Sequence, residues 1–219
     1  MTQFWLNYFQ HNSWPLMPWD DAYRLTREER DAVASSIQQF QLGEGSGGNA
    51  FVERARRFAD DTQFIPTLRL FIQEEQRHSA SLGRFLDMHG IPWLKKHWLD
   101  QVFRRLRRMA ALELIVTVLV TAEIIAVPYY RALHNATQSP LLRALCGQIL
   151  RDEAAHLEYQ AETLARLRLA DRRSGVRSPN CFMPFCCMGL WPRYGWSTGV
   201  CSCAAAIRWQ CFDARVNLN

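Results

Sequence analysis

Two short motifs carry the residue types that most often bind metal ions. Both read Glu-x-x-His: Glu75 and His78 in EEQRH, and Glu153 and His156 in DEAAH. Residues three apart share one face of a helix, so each pair can offer a carboxylate and an imidazole to the same ion. The apolar residues around both pairs recur at helical spacing, which predicts that these faces point into a core. One such pair arises by chance on a solvated helix, whereas two on half-buried helices favour a metal site.

A third carboxylate, Glu123, lies within the apolar run IVTVLVTAEIIAV. An unpaired carboxylate there would cost several kcal/mol of desolvation, and the predicted core holds no lysine that could pair with it. A metal ion is therefore the natural counter-charge. Glu123 precedes Glu153 by 30 residues, and counting about as far back from Glu75 leads to Glu44, 31 residues earlier. The sequence thus reads as a pseudo-repeat of a helical hairpin, in which each half supplies three ligands.

Four long helices are expected to position these ligands, and no strand-like alternation competes with them, so the predicted fold class is all-α. The predicted helices cover about residues 27–59, 65–89, 100–134 and 140–171. Thr26 is the expected N-cap of the first helix, and Pro128 is expected to bend the third. Residues 1–25 are rich in aromatic side chains and are expected to pack across the helices as an irregular arm.

The paired motifs and the two lone glutamates resemble the ferritin-like superfamily of dimetal carboxylate proteins. In that architecture, two helices give one Glu each and two others give a Glu-x-x-His pair each. The resemblance covers about residues 27 to 170 and is specific at the superfamily level only. It implies a ferritin-like four-helix bundle over residues 26–171. The metal ligands that it implies are Glu44, Glu75, His78, Glu123, Glu153 and His156.

The resemblance also implies a cofactor of two iron ions, with manganese or a mixed iron–manganese pair as alternatives, since carboxylates and imidazoles suit these metals. The expected function is a di-iron oxidoreductase that activates O2 or a peroxide toward an unknown small-molecule substrate. Iron oxidation, storage or detoxification is the alternative, and a degenerate bundle that keeps metal for stability is a third. A homodimer is one assembly that the protein could form.

Several neighbours are expected to assist the ligands. Glu75 and Glu153 are the candidate bridging carboxylates. Asp152 and Glu74, each adjacent to a ligand, are expected to hold the Nδ1 atoms of the two histidines. Tyr130 and Tyr159 also fall at positions that could face the metals. Each has either a redox role or a packing role with a bonded hydroxyl, and the second is the more common case.

The stretch QLGEGSGG contains Gly43, Gly45 and Gly48 in the order G-x-G-x-x-G, which is the fingerprint of a dinucleotide-binding loop. Its context argues against nucleotide binding, because it follows a predicted helix and not a strand. We expect these glycines to allow a neighbouring helix or the metal site to come close, at a cost of about 1 kcal/mol of helix propensity each.

The composition changes after Asp171. Residues 172–219 hold six of the seven cysteines, together with six arginines and one aspartate, so they carry the whole formal excess charge of +5. An unstructured tail, a zinc site and a shifted reading frame are the three interpretations of this segment, although C-C and C-x-C spacings are weak zinc patterns.

A basic cluster before the third predicted apolar run can hold RNA but more often marks a solvated helix end, so nucleic acid is not the expected partner. The cluster comprises Lys95, Lys96, Arg104, Arg105, Arg107 and Arg108.

The N-terminal stretch has no basic start followed by a clean apolar run, so no signal peptide is expected. Cys146 is the only cysteine before residue 172, which is typical of a cytoplasmic protein. Residues 110–130 are apolar enough to suggest a membrane helix, but they contain Glu113 and Glu123. A carboxylate facing lipid is costly, so a core helix is the expectation.

Overall fold

The computed structural model describes residues 2–45, 48–56, 61–95 and 111–173, and these contain six α-helices and no strand. The predicted all-α fold class is confirmed for this part of the chain. The helices are α1 (Thr2–His11), α2 (Arg27–Glu44), α3 (Asn49–Ala55), α4 (Phe64–Met88), α5 (Leu112–Ala136) and α6 (Pro140–Arg173).

The chain divides into two compact units, residues 1–164 and 165–219. The first unit contains the core and the candidate site, and only residues 165–173 of the second are described. The cysteine-rich remainder of the predicted tail and most of the basic cluster lie outside the described residues. So does the expected start of the third predicted helix near residue 100.

Local signals set the start of α2 and the end of α4 where the sequence predicted them. Thr26 caps α2: its side chain accepts a hydrogen bond from the Glu29 N–H at 3.2 Å, and the Glu29 carboxylate accepts from the Thr26 N–H at 2.8 Å. This reciprocal pair satisfies two of the free N–H groups at a helix start. The chain leaves α4 through Gly90, whose φ of 61° lies in the left-handed region that favours glycine.

The prediction of one continuous helix over residues 27–59 is wrong. The structure has two helices there, because α2 ends at Glu44 and α3 begins at Asn49. Each glycine between them lowers helix propensity by about 1 kcal/mol relative to alanine, which accounts for the interruption. At the break, the Gly45 N–H still bonds the Gln41 carbonyl at 3.2 Å, so the last turn of α2 is closed.

The prediction of an irregular N-terminal arm is also wrong for its first half, which forms α1. Trp5 and Phe9 lie four residues apart, so they form one apolar stripe that is buried against the rest of the protein. The Phe9 ring lies 6.3 Å from the ring of Phe71 in α4. The arm therefore packs on the body of the protein, as expected, but as a helix.

The four long helices share one hydrophobic cluster. Its members include Ile37 from α2; Leu82, Phe85 and Leu86 from α4; Ala126, Tyr130 and Leu133 from α5; and Leu141, Leu142, Leu145 and Ile149 from α6. Most of these side chains are fully buried, and close-packed interiors tolerate little displacement of their elements. The shared core therefore fixes the helix faces that carry the candidate ligands.

One face of α5 belongs to this core, and the opposite face is open. Glu123 and Tyr130 lie on the buried face, whereas Ile124 and Ile125 are exposed. Length and composition would allow α5 to cross a membrane. Its most apolar stretch has a mean hydropathy of 1.9, and 33% of that stretch is buried. Core helices of soluble proteins pass the same test, so one such helix is weak evidence of a membrane span.

Two glycine substitutions compare a position inside α2, Gly43, with the position that precedes α3, Gly48. A Cβ at Gly43 would meet no atom within 4 Å, whereas one at Gly48 would clash with the side chain of Ile72. In the metal-free protein, Gly43→Ala should raise the free energy of unfolding by up to about 1 kcal/mol through helix propensity. Gly48→Ala should lower it by about 1–3 kcal/mol through overpacking. Urea unfolding measures both, and equal effects at the two positions would contradict the close approach at Gly48.

Candidate metal centre

Two glutamates and two histidines from α4 and α6 meet inside the protein. The ligand atoms of Glu75, His78, Glu153 and His156 all lie within 4.8 Å of one another. Both histidines and Glu153 are fully buried, and the Glu75 side chain is 16% exposed. The two Glu-x-x-His motifs read from the sequence thus form one buried group that could hold a metal ion.

The donor atoms at the centre of this group have no hydrogen-bond partner. They are Nδ1 of His78, Nδ1 of His156, both carboxylate oxygens of Glu153 and Oε1 of Glu75. His156 Nδ1 lies 2.8 Å from Glu75 Oε1, but without the geometry of a hydrogen bond. An unsatisfied buried polar atom costs about 1–3 kcal/mol, and native proteins keep few of them. A cation bound among these atoms would satisfy them together, so the donor set fits a metal.

The two lone glutamates lie beside this group. Glu44, in the last turn of α2, places Oε2 3.9 Å from Nδ1 of His78 and accepts a hydrogen bond from the Tyr130 hydroxyl at 3.0 Å. Glu123, from the middle of α5, accepts a hydrogen bond from Gln160 Nε2 at 2.9 Å. The structure groups four of the six predicted ligands, Glu44 lies next to His78, and the charge of Glu123 acts on Glu75 and Glu153. The assignment of all six as metal ligands stays a prediction.

The outer nitrogens of the two histidines are held by a crossed pair of carboxylates. His78 Nε2 in α4 lies 3.0 Å from Asp152 Oδ2 in α6, and His156 Nε2 in α6 lies 3.0 Å from Glu74 Oε2 in α4. A carboxylate partner makes Nε2 the protonated nitrogen, which leaves the Nδ1 lone pair directed at the centre of the group.

The two carboxylates are therefore the expected ones, but the expectation that they hold Nδ1 is wrong. Nε2 lies farther from the helix backbone than Nδ1, so it is the atom that reaches the facing helix. Nδ1 lies closer to the histidine's own helix, where the Glu three residues earlier also projects. The sequence spacing specifies which residues share a face, but not how each ring is turned.

Without a metal, burial and the neighbouring carboxylates disfavour the ionised forms of Glu75 and Glu153. Burial raises the pKa of Glu75 well above its usual value, and the charges of Glu123 and Glu44 raise it further. Burial also raises the pKa of Glu153 well above its usual value, and the charge of Glu123 raises it further. Burial alone would lower the pKa of His78, but the hydrogen bond to Asp152 and the nearby carboxylate of Glu44 raise it to about 9. The buried surroundings therefore favour the protonated forms of these groups when no cation is bound.

The two tyrosines singled out in the sequence have different surroundings. Tyr130 is fully buried and donates to Glu44, so it contacts a predicted ligand. Tyr159 is buried in an aromatic cluster, with its ring 5.3 Å from Phe9 and 5.8 Å from Trp5. These contacts give both tyrosines a packing role, and a redox role for either stays a prediction.

Polar residues complete the surroundings of the site. Gln160 lies one turn beyond His156, so helical spacing alone places it on the same face. Sequence reasoning missed Asn12 and Trp14, in the segment that follows α1: Asn12 donates to Glu74 and Asp152, and Trp14 donates to Asp152. No local pattern identifies these two, because their partners lie far along the chain.

No protein-family model, curated protein or solved structure matches this chain. Function is therefore inferred from the chemistry of the site, since a fold alone does not define an activity.

Divalent cations should bind more tightly as the pH rises. The raised pKa values favour the protonated forms of Glu75, Glu153 and His78, and a bound cation must displace these protons. The apparent affinity for Co²⁺ should therefore increase up to the His78 pKa of about 9. Calorimetry in buffers of different ionisation enthalpy counts the released protons. Binding without proton release would contradict this account of the buried charges.

Proposed function

We propose that the protein is a ferritin-like di-iron carboxylate oxidoreductase that uses O2 or a peroxide on a small-molecule substrate. The observation that carries this proposal is the buried group of carboxylate and imidazole donors that lack hydrogen bonds toward their common centre. A structural zinc site would favour cysteine ligands, whereas this donor set suits iron or manganese.

The arrangement of the helices supports the same proposal. Each of the four long helices contributes to the site in the pattern of a dimetal-carboxylate bundle, with a lone Glu from two helices and a Glu-x-x-His pair from the other two. The contributions are Glu44 from α2, Glu75 and His78 from α4, Glu123 from α5, and Glu153 and His156 from α6. We infer a ferritin-like bundle over residues 26–171 that binds two metal ions.

Iron bound at this site would supply the redox chemistry. The chain's own residues would bind and orient it. Glu153 places one oxygen 3.6 Å from His78 Nδ1 and the other 3.8 Å from His156 Nδ1, and Glu75 Oε1 lies 2.8 Å from His156 Nδ1. These uncommitted oxygens would let both glutamates hold the metal ions together with the histidines. Apolar rings cover the imidazoles, with Phe71 at 4.8 Å from the His156 ring and Trp14 at 5.7 Å from the His78 ring. Such a cover excludes water and strengthens the electrostatic interactions inside the site.

Iron oxidation, storage or detoxification without an organic substrate is the second candidate. The observation that favours it is the depth of the site, since His78, Glu153 and His156 have no exposed surface. Metal ions and O2 are small enough to reach such a position through minor fluctuations, whereas an organic substrate requires a pocket beside the metals.

Metal loading tests the proposed site directly. Protein loaded anaerobically with Fe²⁺ should bind about two ions per chain, as a dimetal-carboxylate site requires. Glu123→Ala should lower this stoichiometry, because it removes a predicted ligand, while His134→Ala, which removes a histidine distant from the group, should not. Circular dichroism confirms that each variant is folded. Binding far below two ions in the parent protein, or an unchanged Glu123→Ala variant, would overturn the proposal.

Oxygen consumption separates the two functions. An oxidoreductase supplied with an external reductant should continue to consume O2 after the bound iron has been oxidised once, because its iron is returned to the ferrous state. An oxygen electrode measures this, and optical spectroscopy follows the iron. A single round of oxidation by a large multi-subunit cage, seen by sedimentation, would favour storage.

A further inference from the structure

One amide group joins the two carboxylates that hold the histidines. Asn12, which follows α1, donates from Nδ2 to Glu74 Oε1 at 2.7 Å and to Asp152 Oδ1 at 3.0 Å. We propose that Asn12, assisted by Trp14, is a positioning residue that sets how both histidines face a bound metal. This inference rests on the proposed metal site and extends it to the N-terminal arm.

The hydrogen bonds form a continuous chain from one histidine to the other. Each carboxylate uses one oxygen for an imidazole and the other for the amide. Asp152 bonds His78 through Oδ2 and Asn12 through Oδ1. Glu74 bonds His156 through Oε2 and Asn12 through Oε1. Any rotation of the amide therefore affects both carboxylates, and through them both imidazole rings.

The chemistry of the amide suits this position. Glu74 and Asp152 are each 1% exposed, and two buried carboxylates that face a common donor repel each other. A neutral amide bridges them without a positive charge that would withdraw them from the imidazoles. Asp152 receives two further neutral donors, Trp14 Nε1 at 2.8 Å and Gln148 Nε2 at 2.9 Å. Carboxylates that keep their charge make the bonded imidazoles stronger metal ligands.

The arm itself is held in place, so the amide has a defined position. The Asn12 N–H bonds the Tyr8 carbonyl at 2.9 Å, which ties Asn12 to the end of α1. The Trp5 and Phe9 stripe anchors α1 on the body of the protein. On the far side, the Arg77 guanidinium lies 5.8 Å from the centre of the Trp14 ring, which restrains the indole.

An open cavity of about 510 Å³ borders this arrangement and is lined by Asn12, Trp14, Gln148 and Asp152, among others. Water can therefore enter if the Asn12 side chain is shortened, and it can replace part of the lost hydrogen bonding. A new carboxylate at the same position cannot be relieved in this way, because it would add a third negative charge against Glu74 and Asp152.

Two substitutions of Asn12 test the inference, with Co²⁺ as the probe in place of iron. Asn12→Asp keeps the shape but removes the donor, so it should weaken Co²⁺ binding about 10- to 100-fold, as loss of an outer hydrogen-bond partner does at other metal sites. Asn12→Ala should weaken it less. Competition with a chelator measures the affinity, and the visible absorption of bound Co²⁺ reports the histidine ligands. Both variants should shift that spectrum.

Asn7→Asp is the matched control, because it makes the same change at an exposed position of α1, the helix that precedes Asn12, and should alter neither readout. Trp14→Phe keeps an aromatic ring beside His78 but removes the indole donor to Asp152, and it should give a smaller shift of the spectrum in the same direction. It keeps the inference testable if Asn12→Asp fails to fold.

Failure of the metal site and failure of the Asn12 positioning role give different results. If the parent protein binds Co²⁺ but folded Asn12 variants match its affinity and spectrum, the positioning role is overturned while the metal site stands. Variants that lose thermal stability without metal yet keep the parent's affinity and spectrum would assign Asn12 a purely structural role, which also overturns the inference. If the parent protein binds no Co²⁺ and no Fe²⁺, the proposed function fails, and the positioning role fails with it.

Discussion

Carboxylates buried in an apolar interior need partners, and this requirement governs the centre of the molecule. The outward atoms of the site meet it with hydrogen bonds: the imidazole Nε2 atoms bond Asp152 and Glu74, and Glu123 bonds Gln160. The inward atoms do not meet it, since both oxygens of Glu153 and both Nδ1 atoms lack partners. Such inward-facing donors are what a bound cation would complete, because a cation needs lone pairs that no other group uses.

The same hydrogen bonds that orient the ligands also join the helices. Each histidine of one helix bonds a carboxylate of the other, so α4 and α6 are connected twice across the site, and Asn12 adds the N-terminal arm to both. The shared hydrophobic cluster also holds these helices together. The position of the donors is thus determined by packing and by polar contacts at once, which favours a well-defined site over a loose one.

The glycine-rich stretch shows how a sequence pattern depends on its surroundings. Gly43, Gly45 and Gly48 spell a nucleotide-binding string, yet they follow a helix and separate α2 from α3. The break ends α2 at Glu44, whose carboxylate then meets the Tyr130 hydroxyl and His78. A carboxylate at the end of a helix is disfavoured by the helix dipole, so a nearby cation would stabilise it.

The sequence alone determined the all-α class, the bounds of α4 and α6, and the helix faces on which Glu75, His78, Glu153 and His156 lie. Helical periodicity and capping residues are local properties, and a local pattern is enough to specify them. Only the tertiary structure decided that α1 is a helix packed on the body, which imidazole nitrogen faces inward, and that Asn12 reaches the site. The two hydrogen bonds of Asn12 span 62 and 140 residues of sequence. Contacts over such distances depend on how the helices pack, which no short stretch of sequence encodes.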